Sequence, residues 1–460
     1  MKANSNRRDN ESFIDKKISE IPIDKLSRES NYCKRKPRKI LPAELIKGFF
    51  LMAFGKEQNS FKNWAEKIGL LVHTTITKQA LWKRMSCEQV QFLRKVFEVV
   101  FSQRAVKDWD ISKSEKLKQF QNVFIEDGTH IQLDESMARV YPGNKYWDRT
   151  NKRIGKTKAI MKIQATYNIV TQQFIRFIIG SYRTNDQQYA ATITQYARPG
   201  DLVIRDLGYF SSKVFKLLLK EGISFISRLR MKVSLFSVKE ETPIDLAKML
   251  RRRGIIDTDI LISKDEKTPV RLIAFPVEET IAVARRRKAK KQKKTNLTKE
   301  QSFFMGFHFF VTDVPADKIS IQDVELLYRI RWRIEIIFKS WKSCMKITDI
   351  QQDTNQYRLE SYIYCMLMFI IFFQVDLYNH LSEVAFKKSG VTQKRGLSLM
   401  KFTQYVVNNI VLFVLGYHCY KLTCSSKSDM ELIEKQMILN SLYESRSDRI
   451  NYHQYFLKLS

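Results

Sequence analysis

The sequence predicts an α/β sheet with helical regions before and after it. Apolar residues follow a helical period over residues 40–118. Strand-like patterns begin after about residue 120, where predicted strands and helices alternate along the chain. Helical periodicity returns in residues 346–460. At 460 residues, the chain is long enough for two or three domains with substantial cores.

The N-terminal region divides into two parts. Residues 1–39 are polar and basic and end in "KRKPRK", which predicts a basic flexible tail; a disordered tail and a DNA-gripping arm are equally open interpretations. Residues 40–118 are predicted to form a helical domain, and a helix-turn-helix-like pattern within it makes it a candidate DNA-binding domain.

Within that domain, two short helical runs resemble a helix-turn-helix. They cover 60–68 and 77–85 and are broken after Gly69, so the connection is longer than the usual ~3–4 residues. The first run would bury Trp64, Ala65 and Ile68. The second would present three cations to DNA, namely Lys78, Lys83 and Arg84. An ordinary helical bundle is the alternative.

The sheet itself is predicted between residues 119 and 345. Residues 122–133, "NVFIEDGTHIQL", predict a strand, a turn at Asp127–Gly128 and a second strand. The next elements are two strands around a turn near residues 171–172, a helix, a buried strand ending before Asp206, an N-capped helix and another strand. A β-rich insertion with one helix is predicted at 231–318.

A charged helix is predicted at 326–342, just after a capping box formed by Ser320 and Asp323. One side of a helical wheel carries the apolar residues Leu326, Ile330, Ile334, Ile337 and Trp341. The other side groups four polar residues: Tyr328, Arg331, Glu335 and Lys342. A solvated face of ion pairs is the ordinary explanation of such a group.

The charge balance indicates a polyanionic partner. The chain has 80 Lys+Arg against 48 Asp+Glu, a formal charge of +32, which favours nucleic acid. A membrane surface is the rival, but the longest apolar run, 362–375, is too short to span and predicts a buried helix. No membrane association is therefore expected.

The cysteines do not indicate a metal centre or a disulfide framework. Six are scattered along the chain, and His418 with Cys419 and Cys424 lacks the second ligand pair that zinc would need. A reducing, cytoplasmic location is expected.

Three carboxylates are candidates for a catalytic site. Asp127 and Asp206 stand near strand ends and Glu335 stands on a packed helix, so all three could converge. Carboxylates without His or Cys suit Mg²⁺ or Mn²⁺, and two such ions could activate an attacking oxygen at phosphorus. Each carboxylate also has an ordinary explanation, as a turn, a helix start or a surface ion pair.

These residues resemble the signatures of one family. The DDE transposases of the insertion-sequence-4 family resemble this chain in one signature: Tyr, two residues, Arg, three residues, Glu, six residues and Lys. Residues 328–342 have these residue types at the same spacing. The family's two aspartate motifs correspond to "DGT" from Asp127 and "DLGYF" from Asp206. The resemblance covers about residues 40–375.

The resemblance implies a catalytic domain of the RNase H-like fold and a metal-dependent cut-and-paste reaction. Asp127, Asp206 and Glu335 would hold two Mg²⁺ or Mn²⁺ ions, while Tyr328, Arg331 and Lys342 would contact DNA phosphates. The partners would be double-stranded DNA, as terminal inverted repeats and target, and a second copy of the chain in the assembled complex. A bacterial, nucleoid-associated location follows.

Two further DNA contacts are expected. Many members carry a tryptophan before "TNVP" that stacks on an extruded base, whereas this chain has "MGFHFFVTDVP", in which Phe307 could substitute. The basic run at 285–294 is expected to contact phosphates; a solvated loop is its alternative. Its first residues are Arg285, Arg286 and Arg287.

Two other functions remain open at this point. One is a catalytically silent DNA-binding protein derived from a transposase, and the other is a metal-dependent nuclease that cuts without joining.

Overall fold

The computed structural model describes most of the chain in two compact units. The described residues are 12–35, 37, 39–54, 60–103, 114–148, 153–293, 296–352, 354–387, 395–415, 427–445 and 450–458. The first unit contains residues 1–107, 130–162 and 335–454, and the second contains 108–129, 163–334 and 455–460. This division differs from the sequence-based one, which separated the N-terminal and C-terminal helices.

Ten strands are described. They are β1 (Val123–Leu133), β2 (Pro142–Asp148), β3 (Arg153–Asn168), β4 (Gln173–Ser181), β5 (Leu202–Arg205), β6 (Ser224–Arg228), β7 (Leu235–Phe236), β8 (Ile256–Ile262), β9 (Thr268–Pro276) and β10 (Phe307–Thr312).

Helices occupy both units. Those up to residue 220 are α1 (Phe13–Ser19), α2 (Ile23–Glu29), α3 (Pro42–Ala53), α4 (Phe61–Leu71), α5 (Lys78–Trp82), α6 (Cys87–Gln103), α7 (Glu115–Lys118), α8 (Asp186–Ala190) and α9 (Ser212–Lys220). The later ones are α10 (Leu246–Arg253), α11 (Glu279–Lys293), α12 (Lys299–Phe304), α13 (Ile321–Ile330), α14 (Trp332–Ser343), α15 (Gln356–Phe369), α16 (Tyr378–Lys387), α17 (Leu399–Asn408), α18 (Ile410–Leu415), α19 (Lys427–Ser441) and α20 (Tyr452–Leu457).

The sheet of the second unit is mixed. Its strand order is β3–β1–β5–β6–β10–β9–β8–β7, and β4 also pairs with β3. In the first unit, β2 runs antiparallel to the beginning of β3. β5 is parallel to both β1 and β6, whereas β10 runs antiparallel to β6. A mixed sheet with these helices is consistent with the RNase H-like fold that the resemblance implies.

The insertion extends this sheet. β10 pairs with β6 on one edge and β9 on the other, and β8 pairs with β9. At the β8–β9 pair, Arg271 donates to both carboxylate oxygens of Asp257 at 2.6 and 2.7 Å. The prediction of one helix in the insertion is wrong, because α10, α11 and α12 all form there.

Aromatic packing anchors helices to the second unit's sheet. Val203 of β5 and Phe225 of β6 are fully buried, and the Phe215 ring of α9 stacks on Phe225 with 4.4 Å between centroids. The helix begins at an N-cap, where Ser211 Oγ accepts from the Val214 amide, and Gly222 follows it with a φ of +66°. The predicted N-capped helix is confirmed.

In the first unit, N-terminal and C-terminal helices share one core. The Phe54 ring after α3 lies 4.1 Å from the Phe369 ring of α15, and Ser361 Oγ donates to Gln89 Oε1 at 3.4 Å. The predicted flexible tail is wrong for residues 13–29, which form α1 and α2, because Ile14 and other apolar side chains are buried there.

The apolar run at 362–375 is confirmed as a buried helix. Among the described residues, one helical stretch, Gln356–Lys387, is long and apolar enough to cross a membrane by length and composition alone. Inside the protein, 83% of its most apolar window is buried, as in the core helix of a folded domain. His418, Cys419 and Cys424 lie outside the described residues.

Candidate active site

The two motif aspartates follow a shared register in neighbouring parallel strands. Glu126 of β1 lies opposite Arg205 of β5. Asp127 is the next residue of β1, and Asp206 directly follows β5 with an extended backbone. We therefore expect the backbones of the two aspartates to lie about 5 Å apart, which is the spacing of adjacent strands. Successive side chains point to opposite faces of a sheet, which puts both aspartates on the face opposite the Glu126–Arg205 pair.

The predicted turn at Asp127–Gly128 is wrong. β1 is continuous from Val123 to Leu133, with Thr129 and Ile131 buried. Asp127 therefore lies within a long strand, where its Oδ1 accepts from the Gly128 amide at 2.8 Å.

Asp206 is partly exposed and is contacted by two signature residues, one in α13 and one directly after it. Its side chain is 49% exposed, so its oxygens can reach a ligand. Tyr328 donates its hydroxyl to Asp206 Oδ1 at 3.2 Å, and Arg331 Nη2 lies 4.0 Å from the same oxygen. Burial raises the pKa of Tyr328 to about 12, so this tyrosine stays a protonated donor at neutral pH.

The charged helix is interrupted where the sequence predicts continuity. α13 ends at Ile330 and α14 begins at Trp332, so Arg331 forms the junction. The capping box before α13 is confirmed, since the Ser320 hydroxyl accepts from the Asp323 amide. The buried apolar side is confirmed at Ile330, Ile334, Ile337 and Trp341, while Leu326 is only half-buried.

The second motif has a glycine at a position where a side chain would be crowded. A Cβ on Gly208 would lie 2.9 Å from the Asp186 carboxylate at the start of α8. The motif therefore keeps the chain after Asp206 close to α8, and a larger residue would displace one of the two.

Glu335 and Lys342 belong to the first unit, so the predicted residues are divided between units. Both side chains are half-buried on α14. Within the first unit, burial and then the charges of Lys342 and Lys162 lower the pKa of His130. Across the described ranges, no three His, Cys, Asp or Glu side chains form a group that could hold a metal ion.

The donor set of Asp127 and Asp206 nevertheless suits a divalent cation. Asp127 lies in β1 and Asp206 directly follows β5, and the guanidinium of Arg331 lies 4.0 Å from the half-exposed Asp206 carboxylate. Carboxylate oxygens without nitrogen or sulfur ligands favour Mg²⁺ or Mn²⁺ over zinc or copper.

Comparison with known proteins decides the family. The family model described as "Transposase DDE domain" matches residues 118–356, more than half of the chain. The chain belongs to the DDE transposase family. It is an insertion-sequence transposase, an enzyme that cleaves DNA and transfers the strands, and its family depends on divalent metal ions.

Curated relatives agree over most of the chain. The transposase of insertion sequence IS231D from Bacillus thuringiensis subsp. finitimus is 29% identical over 370 residues, covering 76% of this chain and 75% of the relative. The IS231B transposase from subsp. berliner is 28% identical with the same coverage. The IS1151 transposase from Clostridium perfringens is 27% identical over 372 residues, covering 74% of this chain and 75% of the relative.

Two aromatic residues of the transposase differ in exposure. Phe307 is half-buried, and its ring lies 5.1 Å from that of Phe303 in the insertion. Trp332, beside Arg331, is 61% exposed. The stacking role predicted for Phe307 stays a prediction, and Trp332 is an aromatic side chain that sequence reasoning passed over.

The basic run of the transposase is helical. Its first two arginines have partners inside the protein: Arg285 donates to the Phe307 carbonyl at 3.0 Å and Arg286 to Glu279 at 2.6 Å. Burial lowers the pKa of Arg285. Arg287 and the next described cations on α11 are exposed, namely Lys288, Lys290 and Lys291, while residue 294 lies outside the described ranges.

Neutralising these four exposed cations to glutamine should flatten the dependence of log K for DNA on log[salt]. The slope should fall by about 0.9 for each phosphate that the helix no longer neutralises, with little change in discrimination between element ends and random DNA. Filter binding or fluorescence anisotropy across a salt series measures it. Neutralising the outward-facing lysines of α9 is the matched control, and an unchanged slope in the α11 variant would show that this helix is only solvated.

The helices α4 and α5 occupy the predicted helix-turn-helix. Trp64, Ala65 and Ile68 are buried as predicted, but α4 runs through Gly69 to Leu71. Lys78 and Lys83 are exposed, whereas Arg84 donates to the Tyr32 hydroxyl at 3.1 Å.

Sequence reasoning missed the Glu126–Arg205 pair. A signal was present, because each motif aspartate follows a charged residue within a buried apolar strand, and the two charges are opposite: "FIED" and "VIRD". Opposite charges at matching positions of two buried strands indicate an ion pair between them.

Proposed function

We propose that Asp127, Asp206 and Glu335 are the catalytic carboxylates of this transposase and hold two Mg²⁺ or Mn²⁺ ions. The observation that carries the proposal is the parallel register of β1 and β5, which makes the first two aspartates neighbours. Glu335 completes the family signature seven residues after Tyr328, which itself donates to Asp206. Ions held there would activate an attacking oxygen and stabilise a leaving oxygen at phosphorus.

The chain's own cations and donors position DNA in this proposal. Arg331 and Tyr328 hold a phosphate beside Asp206, because Tyr328 of α13 and Arg331 at the α13–α14 junction both lie beside its carboxylate. Lys342 contacts the DNA strand further along α14. An arginine fixed by its surroundings can hold a phosphate with little loss of side-chain entropy.

The reaction proceeds in two chemical steps without a covalent protein–DNA intermediate. Water first hydrolyses the phosphodiester at the end of the element and leaves a 3′-hydroxyl. That hydroxyl then attacks phosphorus in the opposite strand or in target DNA, and the displaced 3′-oxygen leaves.

The partners follow from this chemistry. The element's two terminal inverted repeats are paired by a homodimer, and α4–α5 recognises them through Lys78 and Lys83, which are exposed and cationic. The complex works in the bacterial cytoplasm, on DNA of the nucleoid.

Cleavage and joining assays separate this function from its alternatives. The substrate is DNA carrying the inverted repeats that flank the reading frame, incubated with the full chain, Mg²⁺ and a target plasmid. Cut ends joined to the plasmid are expected. Cutting without joining would indicate a nuclease, and binding without cutting would indicate a catalytically silent DNA-binding protein.

A further inference from the structure

A buried polar network lies on the sheet face opposite the two aspartates. Glu126 is 3% exposed and Arg205 is 2% exposed. Glu126 Oε2 accepts from Arg205 Nε at 2.7 Å and lies 2.5 Å from Nη2. Its other oxygen, Oε1, accepts from the hydroxyls of Tyr196 at 2.7 Å and Thr166 at 2.9 Å.

The arginine has further contacts. Arg205 Nη2 donates to the Ala190 carbonyl at the end of α8 at 2.7 Å, and its guanidinium lies 5.5 Å from the ring of Tyr209, a residue of the second motif. The network therefore joins β1, β3, β5 and the segments on either side of Asp206.

Stability alone does not account for this pair. Taking two charges out of water is costly, and replacing a buried ion pair by apolar side chains of similar volume is often neutral or stabilising. Apolar residues would also match the rest of β5, where Leu202, Val203 and Ile204 are fully buried. The pair must supply something that apolar packing does not.

What the pair supplies is a single register. Sliding β5 by one residue along β1 would separate Glu126 from Arg205 and leave both charges buried without a partner. The same register decides whether Asp127 and Asp206 are neighbours, because each immediately follows one member of the pair. Apolar strands can slip or twist at a much smaller cost.

We propose that the Glu126–Arg205 ion pair positions Asp127 and Asp206 for divalent metal binding. This inference rests on the proposed function of the two aspartates. Removing an outer-shell residue that orients metal ligands typically lowers metal affinity by about 10–100-fold. Glu126 and Arg205 are positioning residues, since they act through the aspartates that follow them.

The test replaces the pair by apolar residues of similar size, E126L/R205M, in the full chain. The control is D257L/R271M, which removes another two-contact pair of an arginine and a carboxylate in the same sheet, between β8 and β9. Three properties are measured: the thermal midpoint, affinity for uncleaved element-end DNA without metal, and Mn²⁺ binding by electron paramagnetic resonance.

In E126L/R205M, Mn²⁺ binding should weaken about tenfold or more, while the thermal midpoint and metal-free DNA binding stay near wild type. The Mn²⁺ concentration for half-maximal cleavage should rise by the same factor. D257L/R271M should bind Mn²⁺ like wild type. Unchanged Mn²⁺ binding in folded E126L/R205M would overturn the proposal, as would equal weakening in the control.

A second variant covers the case in which the double replacement does not fold. Arg205→Lys keeps the charge but cannot keep both contacts to Glu126 and the contact to Ala190. Arg205→Lys should weaken Mn²⁺ binding by a smaller factor than the double replacement does. A Mn²⁺ affinity equal to that of the wild type would contradict the positioning role of the ion pair. D127N/D206N tests the proposed function separately. If Asp127 and Asp206 do not hold the metal, this variant binds Mn²⁺ as tightly as the wild type does.

Discussion

Changing Asp206 to asparagine should reduce strand cleavage about a thousandfold and leave binding to element ends largely intact. Metal ions contribute several kcal/mol to transition-state stabilisation, and each ~1.4 kcal/mol is tenfold in rate. Asparagine keeps the shape of the side chain but loses the charge that holds a cation. Asp127→Asn and Glu335→Gln should have effects of similar size.

Single-turnover cleavage of an end-labelled oligonucleotide measures this effect, with gel-shift titration for binding. Asp259→Asn is the control, because Asp259 is an exposed aspartate of β8 in the same sheet. If one of the three variants cuts near the wild-type rate, that residue is not part of the catalytic site.

Arg331→Ala should lower cleavage by about a hundredfold or more, the usual effect of removing one charged donor from a reaction site. Arg331 is 8% exposed, lies 4.0 Å from Asp206 Oδ1 and lies 5.4 Å from the Tyr328 ring. Its loss removes positioning as well as charge, so saturating Mg²⁺ should rescue the variant poorly. Arg331→Lys should also cleave more slowly than the wild type, because an ammonium group cannot reproduce the contacts of the planar guanidinium.

Lys342→Ala should behave differently from Arg331→Ala. It should weaken the protein–DNA complex about tenfold and slow joining, with little change in the metal requirement. Cleavage rates against Mn²⁺ concentration separate the two variants, and Arg329→Ala, on the exposed side of α13 and paired with Glu325, is the control. If Lys342→Ala raises the Mn²⁺ concentration needed for cleavage as much as Glu335→Gln does, this division of roles is wrong.

Local pattern was sufficient for the elements that are governed by local chemistry. The N-cap of α9 and the capping box of α13 depend on residues only three positions apart, and both are confirmed. The buried strand β5 is a short apolar run whose end before Asp206 is visible in the sequence. The signature spacing likewise identified Tyr328, which reaches Asp206.

Long-range contacts decided what the sequence pattern missed. Asp127–Gly128 has the composition of a turn, but pairing with neighbouring strands keeps β1 extended through Thr129. Residues 13–29 look like a polar tail until their few apolar side chains, such as Ile14, find partners in distant helices. The Glu126–Arg205 pair is hidden for the same reason, since its members are 79 residues apart.

The pairing of β10 between β6 and β9 constrains the order in which the chain folds. β6 leaves the ribosome well before β10, and its β10 edge, at residues 226–228, stays open until residues 310–312 have been synthesised. An open strand edge is a site for pairing with other chains. Shortened products that end before residue 307 are therefore expected to aggregate rather than persist as folded, DNA-binding competitors of the full-length enzyme.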